Sequence, residues 1–185
     1  MSQSCSREER ERVGVVTTSE RCTEDFCGFE WDAVISSEVG QRVIKSAGEI
    51  ADLISSNTTA NSRQTSDVWS PVEYAGHVRD VLFNIRDRLI VAMNEDNPLC
   101  KGLFGTSRIN FGLYKNDSPA EVAQEVRVAA SLFARTWERI PSDVRERTMV
   151  YGWPRVADRS LHWVAAQALH EVEHHLSDIR AGLEG

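Results

Sequence analysis

Apolar residues recur at three- and four-residue spacing in four stretches of the chain, the periodicity of amphipathic helices rather than of strands. The first stretch runs from Phe29 and Trp31 through Val34, Ile35, Val39, Val43, Ile44, Ala47, Ile50 and Ala51 to Ile54. Gly40 and Gly48 lie inside it, and since each weakens a helix by about 1 kcal/mol relative to alanine, they point to close packing against a neighbour. Residues 55–67, rich in Ser, Asn and Thr, break the pattern and read as a loop. Ser70-Pro71-Val72-Glu73 is then a helix start, with a capping serine, proline at the first helical position and a glutamate that closes a capping box. Tyr74, Ala75, Val78, Val81, Leu82, Ile85 and Leu89 carry the second helix to about Met93. The same start signal recurs at Ser118-Pro119-Ala120-Glu121, and Val122, Val126, Ala129, Ala130, Phe133 and Trp137 give a third helix toward Pro141.

Between these helices, residues 94–117 form a long connection with its own aromatics, Phe104, Phe111 and Tyr114, of the kind that borders a pocket. Residues 142–159, with Val150-Tyr151-Gly152-Trp153-Pro154, read as irregular structure. The last periodic stretch follows from Ser160, with apolar residues at 161, 164, 165, 168, 169, 172, 176, 179 and 183. Four helices with long connections and almost no alternating pattern predict an all-α four-helix bundle. Residues 1–20, with a mixed charge run at Arg7-Glu8-Glu9-Arg10-Glu11-Arg12, are expected to be a frayed or disordered tail, and residues 21–185 a single helical domain.

The last helix carries four of the five histidines. It offers two overlapping pairs at i, i+4 spacing, His170 with His174 and Glu171 with His175. On a helical wheel with Leu161 at zero, most apolar positions fall between about 0° and 80°, widened toward about 300° by Val164 and Ala168. His170 and His174 fall near about 180° and 220°, facing solvent, whereas Glu171 and His175 fall near about 280° and 320°, at the margin of the core face. His77 lies at the margin of the second helix's apolar face, where it can meet them across a helix interface. Two imidazoles and a carboxylate leave an open coordination position, the form of a catalytic rather than a structural zinc site, and nickel or iron accepts the same donors. The plainer alternatives are a hydrogen-bonded core histidine at 77 and a solvated polar face on the last helix. Asp178, and less favourably Glu173, could orient a ligand imidazole from behind.

Composition narrows the partners. A net charge of −7 and a pI near 5.3 argue against nucleic acid, which needs a basic face. No apolar run approaches the roughly 20 residues that span a bilayer, and the polar N-terminus is no secretory leader, so a cytoplasmic protein without a membrane partner is expected. A homodimer is compatible with the sequence. Cys5, Cys22, Cys27 and Cys100 are expected to be reduced. Four residues separate Cys22 from Cys27 and no second cysteine pair follows, which favours a structural role over a metal or a disulfide, since a closed zinc site needs four ligands.

Trp69-Ser70-Pro71-Val72-Glu73-Tyr74-Ala75-Gly76-His77 followed by His170-Glu171-Val172-Glu173-His174-His175-Leu176-Ser177-Asp178-Ile179 resembles the DinB-like superfamily of metal-binding four-helix bundles, over roughly residues 30–182. The resemblance implies one ligand on the second helix and two, four residues apart, on the last, here His77, Glu171 and His175. Glutamate in place of the usual first histidine of the last helix is similar to mycothiol-dependent maleylpyruvate isomerase. That enzyme has a further C-terminal domain that this chain is too short to hold, so maleylpyruvate isomerisation itself is not expected. Other single-domain members resemble S-transferases of mycothiol or bacillithiol, and the Cys27-Gly28-Phe29-x-Trp31 stretch resembles one in actinobacterial members. The resemblance thus implies a divalent ion, zinc first, that activates a low-molecular-weight thiol against a small-molecule electrophile. A metal-dependent hydrolase and a non-catalytic, stress-related binding or dimerisation module are the alternatives.

Overall fold

The computed structural model describes residues 20–24 and 27–184. Four long helices build it: α1 (Val39–Ser56), α2 (Pro71–Asn94), α4 (Pro119–Arg139) and α5 (Leu161–Glu184), with a short α3 (Gly105–Asn110) in the long connection. Two four-residue strands, β1 (Thr148–Tyr151) and β2 (Ala157–Ser160), form an antiparallel hairpin before α5, and single 3-10 turns occupy Trp31–Ala33 and Val144–Glu146.

Going round the bundle, α1 packs on α4, α4 on α2, α2 on α5 and α5 back on α1, while α1 and α2 touch only lightly. The first two long helices are therefore diagonal partners, not an adjacent hairpin. The 57–70 and 140–160 connections make the two diagonal steps, whereas α2 and α4, joined by the longest connection, are neighbours. The shared core is aliphatic and aromatic, centred on Val43, Ile50, Ile54, Leu82, Ile85, Phe133, Trp137, Leu169, Val172 and Ile179, all almost wholly buried. Gly40 of α1 lies where a Cβ would sit 3.0 Å from Glu138 Oε1 and 3.4 Å from Ala134 Cβ, the expected close approach, while Gly48 meets only the guanidinium of Arg127.

Several expectations need correction. The first helix does not begin at Phe29: residues 29–38 pass through a 3-10 turn and extended backbone, and the α-helix starts at Val39. The periodicity upstream arises because Trp31 and Val34 pack on the core from a strap that crosses α5, with Trp31 Nε1 donating to Gln167 Oε1 at 2.8 Å and the Val34 carbonyl 3.0 Å from His162 Nε2. Residues 148–160 are a hairpin, in which Met149 and Tyr151 alternate inward along β1. At Ser118 the proline signal holds but no side-chain cap forms. Residues 1–19 of the expected tail, Cys5 among them, lie outside the described residues, whereas Glu20 binds Arg155 and Arg159 at 3.1 and 2.7 Å. Among the described residues no helix is long and apolar enough to cross a membrane.

Candidate metal centre

Position 77 is set by the helix start before it. Ser70 caps α2 reciprocally: its Oγ accepts from Glu73 N at 3.3 Å and its own N–H donates to Glu73 Oε2 at 2.8 Å, with Arg63 clamping the same carboxylate through two 2.7 Å contacts. Two turns on, His77 faces α5. Its Nε2 lies 3.3 Å from Glu171 Oε2, and His175 Nε2 lies 3.4 Å from the same oxygen. The three ligand-competent atoms fall within 4.8 Å of one another, close enough for one ion to bridge them. The imidazole rings stand nearly perpendicular, 5.0 Å apart, with Trp69 edge-on to His77 and Tyr74 packed on His175. The structure thus brings together the three side chains singled out in the sequence.

Behind them, His175 Nδ1–H donates to Asp178 Oδ2 at 2.7 Å, so Asp178 occupies the orienting position expected of it. Glu173 does not. It points to α1, where its two oxygens pair with Arg42 at 3.1 and 2.8 Å. Burial alone pushes the Glu171 carboxyl up, but hydrogen bonds and charge from His175 and His77 outweigh it and hold that group well below the usual carboxylate range. Burial pulls His175 down, while Asp178 and Glu171 raise it to about 9. Without a metal the centre is a carboxylate–imidazolium pair, and a cation entering it takes the place of that proton.

Two further residues shape the centre. Gln167, one turn before Glu171, is 1 % exposed and donates Nε2 to Glu171 Oε1 at 2.6 Å while its own oxygen accepts from Trp31. Its signal in the sequence is a lone amide inside an apolar run, i−4 from a candidate ligand. Gly105 lies where a Cβ would sit 2.7 Å from His77 Cε1 and 2.9 Å from Nδ1, so only glycine fits beside that ring. Nothing in the sequence marks it.

The centre opens into a cavity of about 560 Å³. His77 and Glu171 line its floor, Trp69, Phe104, Tyr151 and Trp153 its walls, and Asn84 and Arg88 add polar groups. The 94–117 connection forms one wall, as expected, because Pro98 and Cys100 exchange backbone hydrogen bonds of 2.9 and 3.0 Å with Val150. Arg88 lies over the Tyr151 ring, 5.2 Å from its centroid, and donates to the Lys101 carbonyl. Burial pushes the Tyr151 hydroxyl up to about 12, which leaves it a hydrogen-bond donor at neutral pH.

The expectation that His170 and His174 face solvent is overturned. His170 is 3 % exposed, enclosed by Phe29, Trp31 and Trp153, and His174 is part-buried beside it. The wheel judged only the four-helix core, whereas Phe29 and Trp31 of the strap, with Trp153, cover the opposite side of α5.

The DinB superfamily sequence profile matches residues 46–179, well over half of the chain and inclusive of all three converging side chains. The chain belongs to the DinB superfamily. This DinB-superfamily chain is also similar in fold to YfiT from Bacillus subtilis, at a TM-score of 0.72 and 11% sequence identity over 79% of this chain and 84% of that one. YfiT is described as "a probable metal-dependent hydrolase with an unusual four-helix bundle topology". At that identity the likeness speaks for the fold alone. The comparison with curated proteins gave no match.

Proposed function

We propose that this DinB-superfamily protein is a divalent-metal-dependent enzyme, with His77, Glu171 and His175 as ligands, and that it transfers a low-molecular-weight thiol to a small electrophile. The observation that carries the reading is the convergence of both Nε2 atoms on one Glu171 oxygen at the floor of the cavity. Two imidazoles and one carboxylate suit zinc with a coordination position left for a reactant, and nickel or iron as well. The ion supplies Lewis acidity that lowers the pKa of a thiol or water brought against it.

The protein's own residues do the rest. Asp178 and Gln167 fix the orientation of His175 and Glu171. Arg88 presents a guanidinium to an anionic group of the reactant, and the protonated Tyr151 hydroxyl donates to a developing negative charge. Trp69, Phe104 and Trp153 supply apolar surface to the cavity walls, with Phe104 and Trp153 remaining exposed. Among the described residues that line the cavity, none outside the proposed metal ligands offers a carboxylate or imidazole as a general base. A thiol needs less help than water in losing its proton, and this favours thiol transfer. The likeness to YfiT favours a second reading, in which water replaces the thiol and the enzyme is a hydrolase.

Metal analysis and product analysis test both. Wild-type protein should bind an ion that His77→Ala, Glu171→Ala and His175→Ala each lose. Turnover of an electrophile only with added thiol, giving the thioether, supports the transferase. Turnover in its absence supports the hydrolase, and failure of all three variants to change metal uptake refutes both.

A further inference from the structure

Cys22, Cys27, His170 and His174 also converge, with one ligand-competent atom from each lying within 4.8 Å of the others. These four share no residue with the His77–Glu171–His175 set. Sequence spacing alone gave the two cysteines no partners, because no second cysteine pair follows them. The fold supplies two histidines in its place. Cys22-x4-Cys27 and His170-x3-His174 both fall within the ligand spacings of structural zinc sites.

Independent observations point to a ligand here. His170 is 3 % exposed, yet neither of its ring nitrogens has a hydrogen-bond partner among the described residues. A buried imidazole with two idle nitrogens is costly unless something fills the gap. Cys22 is buried, and neither it nor Cys27 is in a disulfide. The backbone holds the cysteine limb against α5: Cys22 N donates to the Phe29 carbonyl at 2.8 Å, and Cys27 N to the Glu24 carbonyl at 3.2 Å.

We propose that Cys22, Cys27, His170 and His174 form a second, structural zinc site that fastens the strap bearing Cys22, Cys27 and Trp31 to α5. Four protein ligands close the coordination shell, so the site holds the fold and does no chemistry. A third grouping, His174 with His175 and Asp178, would take one ligand from each site and is disfavoured because the two disjoint sets can be filled together. Through Trp31 the strap holds Gln167, and Gln167 holds Glu171, so the structural ion supports the candidate catalytic one. Binding converts two thiols to thiolates and releases their two protons to solvent, with no redox change.

The test uses the full chain, reduced with a phosphine so that no thiol is added, and reconstituted with zinc or cobalt(II). Wild-type protein should hold two zinc ions per chain, and its cobalt form should show sulfur-to-cobalt charge transfer. The triple variant His77→Ala/Glu171→Ala/His175→Ala should keep one zinc and that absorption. Cys22→Ser/Cys27→Ser should lose the absorption and one zinc. Zinc-edge X-ray absorption on the triple variant should count two sulfur and two nitrogen ligands, a readout that does not depend on the cysteine variant folding. One zinc per chain with sulfur ligands would leave this site standing and sink the catalytic one. One zinc without sulfur would do the reverse. Absence of sulfur ligation, charge transfer that survives in the double cysteine variant, or a Cys22–Cys27 disulfide in protein purified without oxygen would each overturn the proposal.

Discussion

Gln167 donates its amide to Glu171 Oε1 at 2.6 Å, which leaves Oε2 as the only Glu171 oxygen aimed at His77 and His175. The contact converts a flexible glutamate into a ligand of fixed orientation. Groups that orient ligands from behind typically matter 10–100-fold in metal affinity, so Gln167→Leu should weaken binding at the His77–Glu171–His175 centre by about that factor. A competitive chelator titration measures it. Leucine also leaves the buried Trp31 Nε1 unpaired, so Gln167→Glu serves as a companion: it keeps an acceptor for Trp31 but opposes a second carboxylate to Glu171. Unchanged affinity in both variants would show that Glu171 needs no such support.

Gly105 is the second point of control. Its backbone is compatible with alanine, so Gly105→Ala should not strain α3. The added methyl would instead lie 2.7 Å from His77 Cε1 and force the ring to move. The expected outcome is a separation of effects: metal affinity falls at least about tenfold while the thermal midpoint stays within a few degrees. Calorimetric melting and metal titration on the same preparation read both. A drop in stability with full metal binding would contradict the steric account.

Acid sensitivity should trace to the helix cap that sets position 77. Burial pushes the Glu73 carboxyl up, but Arg63 and the Ser70 backbone bind its charged form and hold it below the ordinary glutamate value of 4.5. A depressed folded value means the unfolded chain binds the proton more readily. The stabilisation is therefore complete above about pH 4.5 and is lost as pH falls through the folded value. Arg63 is one-third exposed, so the ion pair contributes about 1 kcal/mol after solvent screening, not the amount a buried pair would. Denaturant melts of wild type and Glu73→Gln should differ by about that much at neutral pH and converge in acid. A gap that persists unchanged in acid would place the cap's contribution elsewhere.

How much of this could be read from the chain depends on which residues do the covering. His77, Glu171 and His175 were legible because their neighbours along α2 and α5 state where the core lies, and the margin of an apolar face is a local property. His170 and His174 were misjudged on the same wheel, because His170 is enclosed by Phe29 and Trp31, some 140 positions earlier, and by Trp153 beyond the β1 strand, none of which the wheel contains. The start of α2 was written in Ser70-Pro71-Val72-Glu73, but the equivalent letters at Ser118 gave a helix without the cap. The β1–β2 hairpin escaped because four-residue strands carry too few alternations to set against an irregular loop, and β2, Ala157-Asp158-Arg159-Ser160, has no apolar face. Gly105 was invisible in principle: what it avoids is a ring 28 positions away.

Arg88 should govern recognition of the reactant rather than its chemistry. Its guanidinium reaches the cavity wall over Tyr151 and is anchored by the Lys101 carbonyl, not by a carboxylate, so its charge is available to a ligand. A charged hydrogen bond contributes about 1.5–3 kcal/mol, which corresponds to a rise of roughly tenfold to a hundredfold in KM for an anionic reactant when Arg88 becomes methionine. Because that contact is made equally in the ground and transition states, kcat should change little. Arg88→Lys should recover part of the loss, since it restores charge but not the planar fork. Steady-state kinetics across an anionic and a neutral reactant of the same shape separates the cases: a loss confined to the anionic one supports the assignment. An equal fall in kcat for both would instead mean that Arg88 acts through Tyr151, by holding the hydroxyl where negative charge develops.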